Sequence, residues 1–352
     1  MKAIWISFVV ILTTLVVILY FASPLKPEVW QVDAYAGLNL IYEKNDRLSD
    51  LTVLNPNRLP SPEDIVISDD GYIYTGLENG DIVSFPLADP DDIRIIANTA
   101  GRPLGIRLDA AGKIIVADAV KGLLAVSTDG QIEVLVDKYE ASPLLLVNHL
   151  DIAKNGEIYF SNSSARYDMN EAVYDFIETS ATGGIFRYSP NTKETIRLMD
   201  NLFFANGLAL GPNDEYLLIS ETGKARIHKL HLSGVSKGQA DIFTSSLPAM
   251  PDNISFNGID VFWVGMVDLR DSRIENLAPY PFIRRLLGAL PIVWFEPDSS
   301  YGFVLGFDLN GEVVANLQTE QGYTKVSAAY EHNNKLYLGS LLQNGVGVYD
   351  LK

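Results

Sequence analysis

Four oxygen-bearing side chains occupy matching positions in a repeated sequence pattern, and such side chains are suited to binding a hard cation. They are Glu63, Asn148, Asn206 and Asp252. Each lies in a short polar-to-apolar cassette that is followed by a turn and a run of β-branched and aromatic residues. Calcium takes six to eight oxygen ligands, which include carboxylates, amide oxygens and water. The four residues are far apart in the chain, so only a fold with internal symmetry would bring them together.

The cassette recurs along the chain at intervals of about 40–50 residues, with two longer steps. The six copies are Pro62–Ile65, Pro103–Ile106, Val147–Ile152, Ala205–Leu208, Pro251–Ile254 and Val326–Ala328. Strand repeats of this length are typical of propeller blades, which all begin near one central axis. The strands are nearly continuous in apolar residues, as expected where each blade is covered by two neighbours. The sequence therefore predicts an all-β fold, a six-bladed β-propeller, with the four oxygen side chains at its axis.

Two of the steps between cassettes contain insertions with helical character. The first runs from Tyr167 to Thr182 and includes Met169–Phe176, and the second runs from Asp268 to Ser300 and includes Pro281–Leu287. Insertions on one face of a rigid scaffold often act as lids or specificity loops. The second insertion carries apolar side chains that need an apolar partner, namely Ile283, Leu286, Leu287 and Leu290. The partner is a substrate, a neighbouring subunit or a membrane surface.

The ends of the chain are expected to close the ring. Gly345–Tyr349 and Leu38–Tyr42 both read as strands and would share the last blade. A closed ring leaves no apolar blade face exposed to water.

Composition excludes several classes of protein. The chain has 352 residues with 27 basic and 44 acidic side chains, a net charge of −17 that argues against nucleic-acid binding. It has no cysteine, which excludes disulfides, thiolate zinc sites and a cysteine nucleophile. Its four histidines lack the spacing of a zinc site.

The first 25 residues predict a membrane anchor, and residues 26–352 the propeller. Between Lys2 and Lys26 lie 23 residues without a charge, long enough to cross a bilayer as a helix. A cleaved signal peptide is the alternative, with Ala22-Ser23 as its cleavage site, but the apolar region is long for one. Lys2 and the amino terminus favour the cytoplasm for the short end. We therefore expect a single-pass protein whose soluble domain lies on the extracytoplasmic (periplasmic or lumenal) side.

Several motifs resemble strictosidine synthase-like proteins, which belong to the wider gluconolactonase/paraoxonase superfamily. The motifs are Gly101–Arg107, Asn148–Ile152 followed by Tyr159–Ser164, and Ala205–Ala209. The resemblance covers residues 35–352, and the N-terminal segment also resembles that of membrane-associated members. It implies a six-bladed propeller, in agreement with the count of repeats.

The resemblance also implies one catalytic Ca²⁺ at the axis. By motif, its ligands are Glu63, Asn148, Asn206 and Asp252, with Asn253 as a fifth. Two carboxylates leave one positive charge on the ion, which would polarise a lactone or ester carbonyl as a Lewis acid. Magnesium is the second choice because it demands stricter octahedral geometry, and zinc is the third.

Two departures from the paraoxonase pattern concern the catalytic base and a second ion. Leu104 stands where paraoxonases carry a histidine that activates water. His149 stands where they carry an aspartate of a second, structural calcium site, and Asp64 matches another ligand of that site. The second site is half present, and we do not expect it to bind an ion. Asp252 is the expected base or nucleophile, and His149 is either a further catalytic residue or a buried hydrogen-bonded one.

These observations predict a calcium-dependent hydrolase of lactones or aryl esters, acting on a small-molecule substrate. One alternative is a non-catalytic propeller that binds a ligand or partner through the same face, which Leu104 favours. Another is strictosidine synthase-type condensation, which uses a late glutamate and no metal. The four retained oxygen ligands argue against that chemistry. The oligomeric state stays open.

Overall fold

The computed structural model describes residues 1–35, 37–295 and 300–351. Within these ranges the chain forms six four-stranded antiparallel sheets around one axis, which confirms the predicted six-bladed propeller. In the first five blades the strands follow one another in chain order. The inner strand of every blade carries or directly follows a cassette, as the repeat predicts.

The first blade consists of β2 (Ile65–Ile67), β3 (Tyr72–Gly76), β4 (Asp81–Pro86) and β5 (Arg94–Asn98). The second consists of β6 (Pro103–Leu108), β7 (Ile114–Asp118), β8 (Gly122–Val126) and β9 (Ile132–Val136). The third consists of β12 (Val147–Ile152), β13 (Ile158–Asn162), β14 (Gly183–Ser189) and β15 (Glu194–Leu202). A short hairpin, β10 (Lys138–Tyr139) with β11 (Ser142–Pro143), joins the second and third blades.

The fourth blade consists of β16 (Ala205–Leu210), β17 (Tyr216–Glu221), β18 (Arg226–His231) and β19 (Ala240–Thr244). The fifth consists of β20 (Ala249–Phe256), β21 (Phe262–Leu269), β22 (Gly302–Phe307) and β23 (Val313–Thr319). The sixth consists of β24 (Val326–His332), β25 (Lys335–Ser340) and β26 (Val346–Asp350) and is completed by β1 (Thr52–Leu54). Short 3₁₀ turns cover Leu40–Tyr42, Arg47–Asp50, Met169–Glu171, Pro212–Asp214, Thr222–Lys224 and Ile292–Phe295.

The hydrophobic core lies between neighbouring blades. Leu218 and Ile227 of the fourth blade, for example, pack in one buried cluster with Phe262 and Phe303 of the fifth. Every residue of β7 is buried, which explains why this strand shows no alternation of polar and apolar residues.

Ring closure differs from the prediction. β1, Thr52–Leu54, pairs antiparallel with β26 and completes the sixth blade. Leu38–Tyr42 was the wrong segment: it contains the 3₁₀ turn Leu40–Tyr42, and Leu40 has a φ of 57°. A left-handed residue is incompatible with a continuous strand. Leu38 and Tyr42 instead pack against the core between the fourth and fifth blades.

Both insertions form helices that cover one face of the propeller, as predicted. We call them the cap, defined as Met169–Glu178 and Ser272–Phe295. The cap contains α2 (Ala172–Glu178), α3 (Ser272–Glu275) and α4 (Pro281–Leu287). The predicted insertion continues to Ser300, but residues 296–299 lie outside the described ranges.

The N-terminal helix α1 (Lys2–Ala22) is a candidate membrane span. Its 21 residues are strongly apolar, yet none is buried. By length and composition the helix is able to cross a bilayer. The chain reaches the cap directly after α1, because Leu25 is buried against Tyr167 and Ile177.

Candidate metal centre at the propeller axis

Three of the predicted ligands lie in β-bulges of the inner strands, and these bulges turn their side chains towards the axis. Register shifts lie between Val147 and Leu150, between Ala205 and Leu208, and between Pro251 and Ile254. Asn148, Asn206 and Asp252 fall within these bulges. A bulge inserts an extra residue and redirects a side chain. Glu63 comes two residues before the inner strand of the first blade.

The four predicted ligands meet at one cavity of about 380 Å³ between the propeller axis and the cap. Glu63, Asn148, Asn206 and Asp252 all line it and are at most 3% exposed. The remaining lining is largely apolar and includes Leu104, Phe176, Phe203, Phe204, Met250 and Val267. The site therefore combines a polar cluster with walls that suit an apolar substrate.

Hydrogen bonds fix the orientation of both asparagine amides. Asn148 Nδ2 donates to Ser163 Oγ at 3.0 Å, and Ser163 Oγ in turn donates to the carbonyl of Ala205 at 2.7 Å. The Asn206 side chain hydrogen-bonds Asp252. Within the described part of the chain, Oδ1 of Asn148 and Oδ1 of Asn206 have no hydrogen-bond partner. Buried amide oxygens without a partner are costly, and a cation would satisfy both.

The two carboxylates lack sufficient compensating charge. Burial raises the pKa of Glu63 to about 7, although Arg102 opposes this effect. Burial and then the charge of Glu63 raise the pKa of Asp252 well above its usual value. Two neighbouring buried carboxylates disfavour each other's ionised form. A cation between them would remove that penalty, so the donor set fits a hard divalent ion.

Among the described residues no cluster of three or more His, Cys, Asp or Glu is arranged to hold a metal. The axial set instead pairs two carboxylates with two amides, which suits calcium better than zinc. Asn253, the predicted fifth ligand, is 1% exposed but does not line the cavity. Neither amide atom of Asn253 has a hydrogen-bond partner among the described residues. Its role as a ligand stays a prediction.

Arg102 is a site residue that the sequence reasoning missed. Its Nη2 donates to Glu63 Oε2 at 3.0 Å, and its Nη1 donates to the carbonyl of Ser61 at 3.2 Å. Its backbone N–H donates to Asp118 Oδ1 at 3.1 Å, which secures the turn that carries it. The guanidinium neutralises part of the axial charge. The only sequence signal was its place beside the second cassette.

His149 follows Asn148 in the chain but does not line the cavity. Its Nδ1 accepts the backbone N–H of Leu208 at 2.9 Å, so the neutral ring carries its proton on Nε2. Nε2 lies 3.2 Å from Asp64 Oδ2 and 3.2 Å from Arg107 Nη2. Burial lowers the pKa of His149. Both ring nitrogens thus contact protein groups, and a catalytic role for His149 stays a prediction.

Arg107 lies where the resemblance matched half of a second calcium site. Its Nη1 donates to Asp64 Oδ2 at 2.7 Å, and its Nε lies 3.6 Å from Asp151 Oδ1. Burial alone would raise the pKa of Asp64, but the charge of Arg107 and the contact with His149 outweigh it and lower that pKa to about 2. A buried guanidinium therefore already balances this carboxylate.

The fold and the axial cavity define the class: a six-bladed propeller with a polar cluster under a helical cap. Family models described as strictosidine synthase and as strictosidine synthase-like, N-terminal, match residues 148–235 and 41–85. The adipocyte plasma membrane-associated protein of Salmo salar is 34% identical and aligns over 94% of this chain and 85% of its own length. Strictosidine synthase-like protein 6 of Arabidopsis thaliana is 33% identical over 83% of this chain and 80% of its own.

The chain therefore belongs to the family of strictosidine synthase-like and adipocyte plasma membrane-associated proteins, which confirms the resemblance found in the sequence. A gluconolactonase structure from Xanthomonas campestris superposes with a TM-score of 0.63 at 15% identity, over 94% of this chain and 97% of that one. Regucalcin from Agrobacterium tumefaciens, described as a calcium-binding protein, gives 0.60 at 12% identity, over 85% and 94%. At these identities the likeness concerns the fold.

Proposed function

We propose that this protein is a calcium-dependent hydrolase of lactones or aryl esters that acts at the axial cavity. The observation that carries the proposal is the meeting of Glu63, Asn148, Asn206 and Asp252 on one cavity, with two amide oxygens left without partners. Structural likeness to gluconolactonases and to a calcium-binding regucalcin supports it at the level of the fold.

The chain's own residues divide the work of the site. Glu63, Asn148, Asn206 and Asp252 would hold the ion, with Asn253, which follows Asp252 in the chain, as a fifth donor. A bound Ca²⁺ supplies Lewis-acid polarisation of the substrate carbonyl. The apolar walls around Leu104, Phe176 and Phe203 bind the body of the substrate and exclude bulk water.

Asp252 is the proton acceptor in this proposal. Its carboxylate takes a proton from water as the water oxygen bonds to the carbonyl carbon. The bond from that carbon to the ring or ester oxygen then breaks, and the proton passes to the leaving oxygen. A lactone gives a hydroxy acid, and an aryl ester gives an acid and a phenol. A carboxylate within hydrogen-bond reach of the attacking water can serve as its general base.

In this proposal His149 holds the site in register, and a catalytic role for it stays the alternative. It joins the third blade to the fourth through Leu208, which lies two residues after Asn206. It also joins the third blade to the first through Asp64, which adjoins Glu63. The inner strands of the third and fourth blades, which carry Asn148 and Asn206, are thereby fixed relative to the first blade.

The proposal places the protein in a membrane, anchored by α1. The helix is long and apolar enough to span a bilayer, and relatives bear the name plasma membrane-associated protein. Lys2 favours a cytoplasmic amino terminus, so the propeller would face the extracytoplasmic side.

A non-catalytic binding propeller is the second candidate. Two observations favour it: Leu104 lines the cavity where a base would be useful, and Arg102 already neutralises Glu63. A ligand would then occupy the same cavity without reacting.

Hydrolysis assays on the full chain separate the two. The protein is assayed in detergent on phenyl acetate and a panel of γ-lactones, before chelation, after chelation and after calcium is restored. We expect turnover that chelation abolishes and calcium recovers. Bound calcium with no turnover on any substrate would exclude the hydrolase and leave the binding protein. Turnover that chelation leaves unchanged would exclude calcium from the reaction.

A further inference from the structure

Helix α4 in the cap exposes apolar side chains and buries a charged one, the reverse of what is usual for a helix that faces water. Its apolar residues Phe282 and Ile283 are 53% and 41% exposed, whereas its charged residue Arg284 is 1% exposed. Tyr280 and Trp294 are exposed on the same insertion. We call Tyr280, Phe282, Ile283 and Trp294 the cap surface. A cluster of exposed aromatic and aliphatic side chains indicates a contact surface.

The cap surface is continuous with the end of the candidate membrane span. The ring of Tyr20, in the last turn of α1, stacks on the ring of Phe282 with centroids 5.7 Å apart and planes at 27°. Arg285 Nε donates to the carbonyl of Tyr20 at 3.2 Å, and its guanidinium lies 4.2 Å from the centre of the Tyr20 ring. The propeller is therefore held to α1 through α4.

The length of α1 fixes the depth of this contact. At 1.5 Å per residue, 21 residues span about 31 Å, which matches a hydrocarbon core of about 30 Å. A helix that fills the core places its last turn at the boundary with the headgroups. Tyr20 lies in that turn, so Phe282, which stacks on it, lies at the same boundary. Tyrosine and tryptophan are enriched at this depth, and arginine reaches the headgroups from it.

Charge supports the same contact. Residues 272–295 contain three arginines and one glutamate, while the whole chain carries −17. This second insertion is thus locally basic on an acidic protein, whereas the other part of the cap, Met169–Glu178, carries three acidic residues and no basic one. Arg284 is buried, but Arg285 lies beside the cap surface, and a basic side chain next to an apolar surface favours interfacial binding to a membrane.

A second cavity lies within the cap, between the cap surface and the axial cavity. It has a volume of about 200 Å³, and Trp294 and Leu277 line it. Asp271, Ile274 and Phe295 line both cavities, so the two adjoin each other. Apart from Asp271, Arg273 and Arg284 the lining of the second cavity is apolar, so an apolar chain that enters beside Trp294 would contact mainly apolar side chains on its way to the axis.

We propose that the cap surface docks in the interfacial layer of the bilayer that α1 spans, and that the axial cavity takes its substrate from that layer. The substrate class is an amphiphile with one ester or lactone carbonyl and a long apolar chain. Docking follows from the contacts of α4 alone, whereas the substrate class rests on the proposed hydrolase.

Spin labelling of the full chain in vesicles tests the docking directly. The chain has no cysteine, so Phe282→Cys supplies one unique attachment point for a nitroxide. Ile259→Cys is the matched control: Ile259 is 74% exposed and lies in the turn between β20 and β21, at the end of the blade away from the cap. Vesicles contain phosphatidylcholine with a fraction of phosphatidylserine.

We expect oxygen, which concentrates in the bilayer, to relax the label at 282 more than a water-soluble nickel chelate does. The label at 259 should show the opposite order. Equal response to the nickel chelate at both sites would overturn the docking. Protection of the 282 label from both reagents would also overturn it, since that result indicates a protein partner such as a second copy of the chain.

Kinetics test the substrate class. Phe282→Ser with Ile283→Ser alters the cap surface without touching the lining of either cavity. We expect turnover of a long-chain aryl ester dissolved in the vesicles to fall about tenfold, and turnover of water-soluble phenyl acetate to change less than about twofold. Equal losses on both esters would overturn delivery from the membrane. Absence of turnover on both by the parent chain would instead overturn the hydrolase, and the spin-label result would still decide the docking.

Discussion

Arg102 Nη2 lies 3.0 Å from Glu63 Oε2, and both side chains are more than nine-tenths buried. The pair spans two blades, because Glu63 precedes the inner strand of the first and Arg102 precedes that of the second. One guanidinium thus faces a cluster with two carboxylates, so the cluster has a net negative charge when both carboxylates are ionised. That charge is what a cation at the axis would neutralise.

Arg102→Met should make the fold more dependent on calcium. Removing one partner of a buried ion pair costs about 3–5 kcal/mol because the other charge is left without compensation. We expect a large loss of melting temperature in chelator and a smaller loss in calcium, since the ion would then balance Glu63. Arg58→Met is the matched control, because its pair with Asp91 is exposed at the surface. Equal losses with and without calcium would place the ion away from Glu63.

Gly207→Ala should displace Asp252. A Cβ at position 207 would lie 2.2 Å from the carbonyl oxygen of Asp252 and 2.6 Å from Cα of Asn253. Both atoms belong to the backbone, so the inner strand of the fifth blade must shift. We expect a loss of about 1–3 kcal/mol in unfolding free energy, together with weaker calcium binding. Gly184→Ala, whose nearest contact would be 3.2 Å, is the control. Calcium affinity that is the same in both variants would contradict this role of Gly207.

Asp175→Asn should flatten the pH dependence of stability. Burial raises the pKa of Asp175 from 3.8 to about 7, although hydroxyls of Ser164 and Ser180 lie near it. Its carboxylate oxygens make no hydrogen bond of good geometry within the described residues. The parent is therefore stabilised below pH 3.8 and loses that contribution as the pH rises through about 7. The amide does not titrate. We expect the unfolding free energy of the variant, relative to that of the parent, to rise by on the order of 2 kcal/mol between acidic and neutral pH, as measured by chemical denaturation. Parallel pH profiles would refute the assignment.

Arg284→Lys should loosen the cap while sparing the blades. Arg284 Nη1 donates to the carbonyls of Ile177 and Glu178 at 3.1 and 2.8 Å, and Nη2 donates to the carbonyl of Ala278 at 3.0 Å and to that of Glu28. Lysine keeps the charge but cannot present these donors in a planar fork. Hydrogen exchange should accelerate in α2 and α4 and stay unchanged in β7. Unchanged exchange in α2 would show that Arg284 does not hold the cap.

The repeats made the propeller and its inner strands predictable from sequence. The cassettes that contain Asn148, Asn206 and Asp252 carry the same local signals of turn and strand, and rotational symmetry then brings these residues to one axis. The helix Pro281–Leu287 was predictable for the same reason, because its pattern is local.

Contacts between blades were not predictable. Arg102 reaches back to Glu63, and Arg107 reaches Asp64 and His149, yet nothing in one cassette records which side chain crosses to the next. Thr52–Leu54 was missed as the closing strand because three residues give too short a pattern, and its pairing with β26 depends on the register of the whole ring. The exposure of Phe282 and burial of Arg284 reverse the usual rule for a surface helix, so composition alone gave no direction for α4.

Calcium titration of chelator-stripped full-length protein tests the central claim most directly. Calcium binding is measured by isothermal calorimetry on the parent, Asp252→Ala and Asp252→Asn, and hydrolysis of phenyl acetate is measured on the same proteins. Asp260→Asn, in the turn between β20 and β21, is the control. We predict one ion per chain in the parent, at least about tenfold weaker binding in Asp252→Ala, and weakened binding without hydrolysis in Asp252→Asn, which keeps an oxygen ligand but loses the charge and the base. Calcium bound by Asp252→Ala as tightly as by the parent would contradict the axial site.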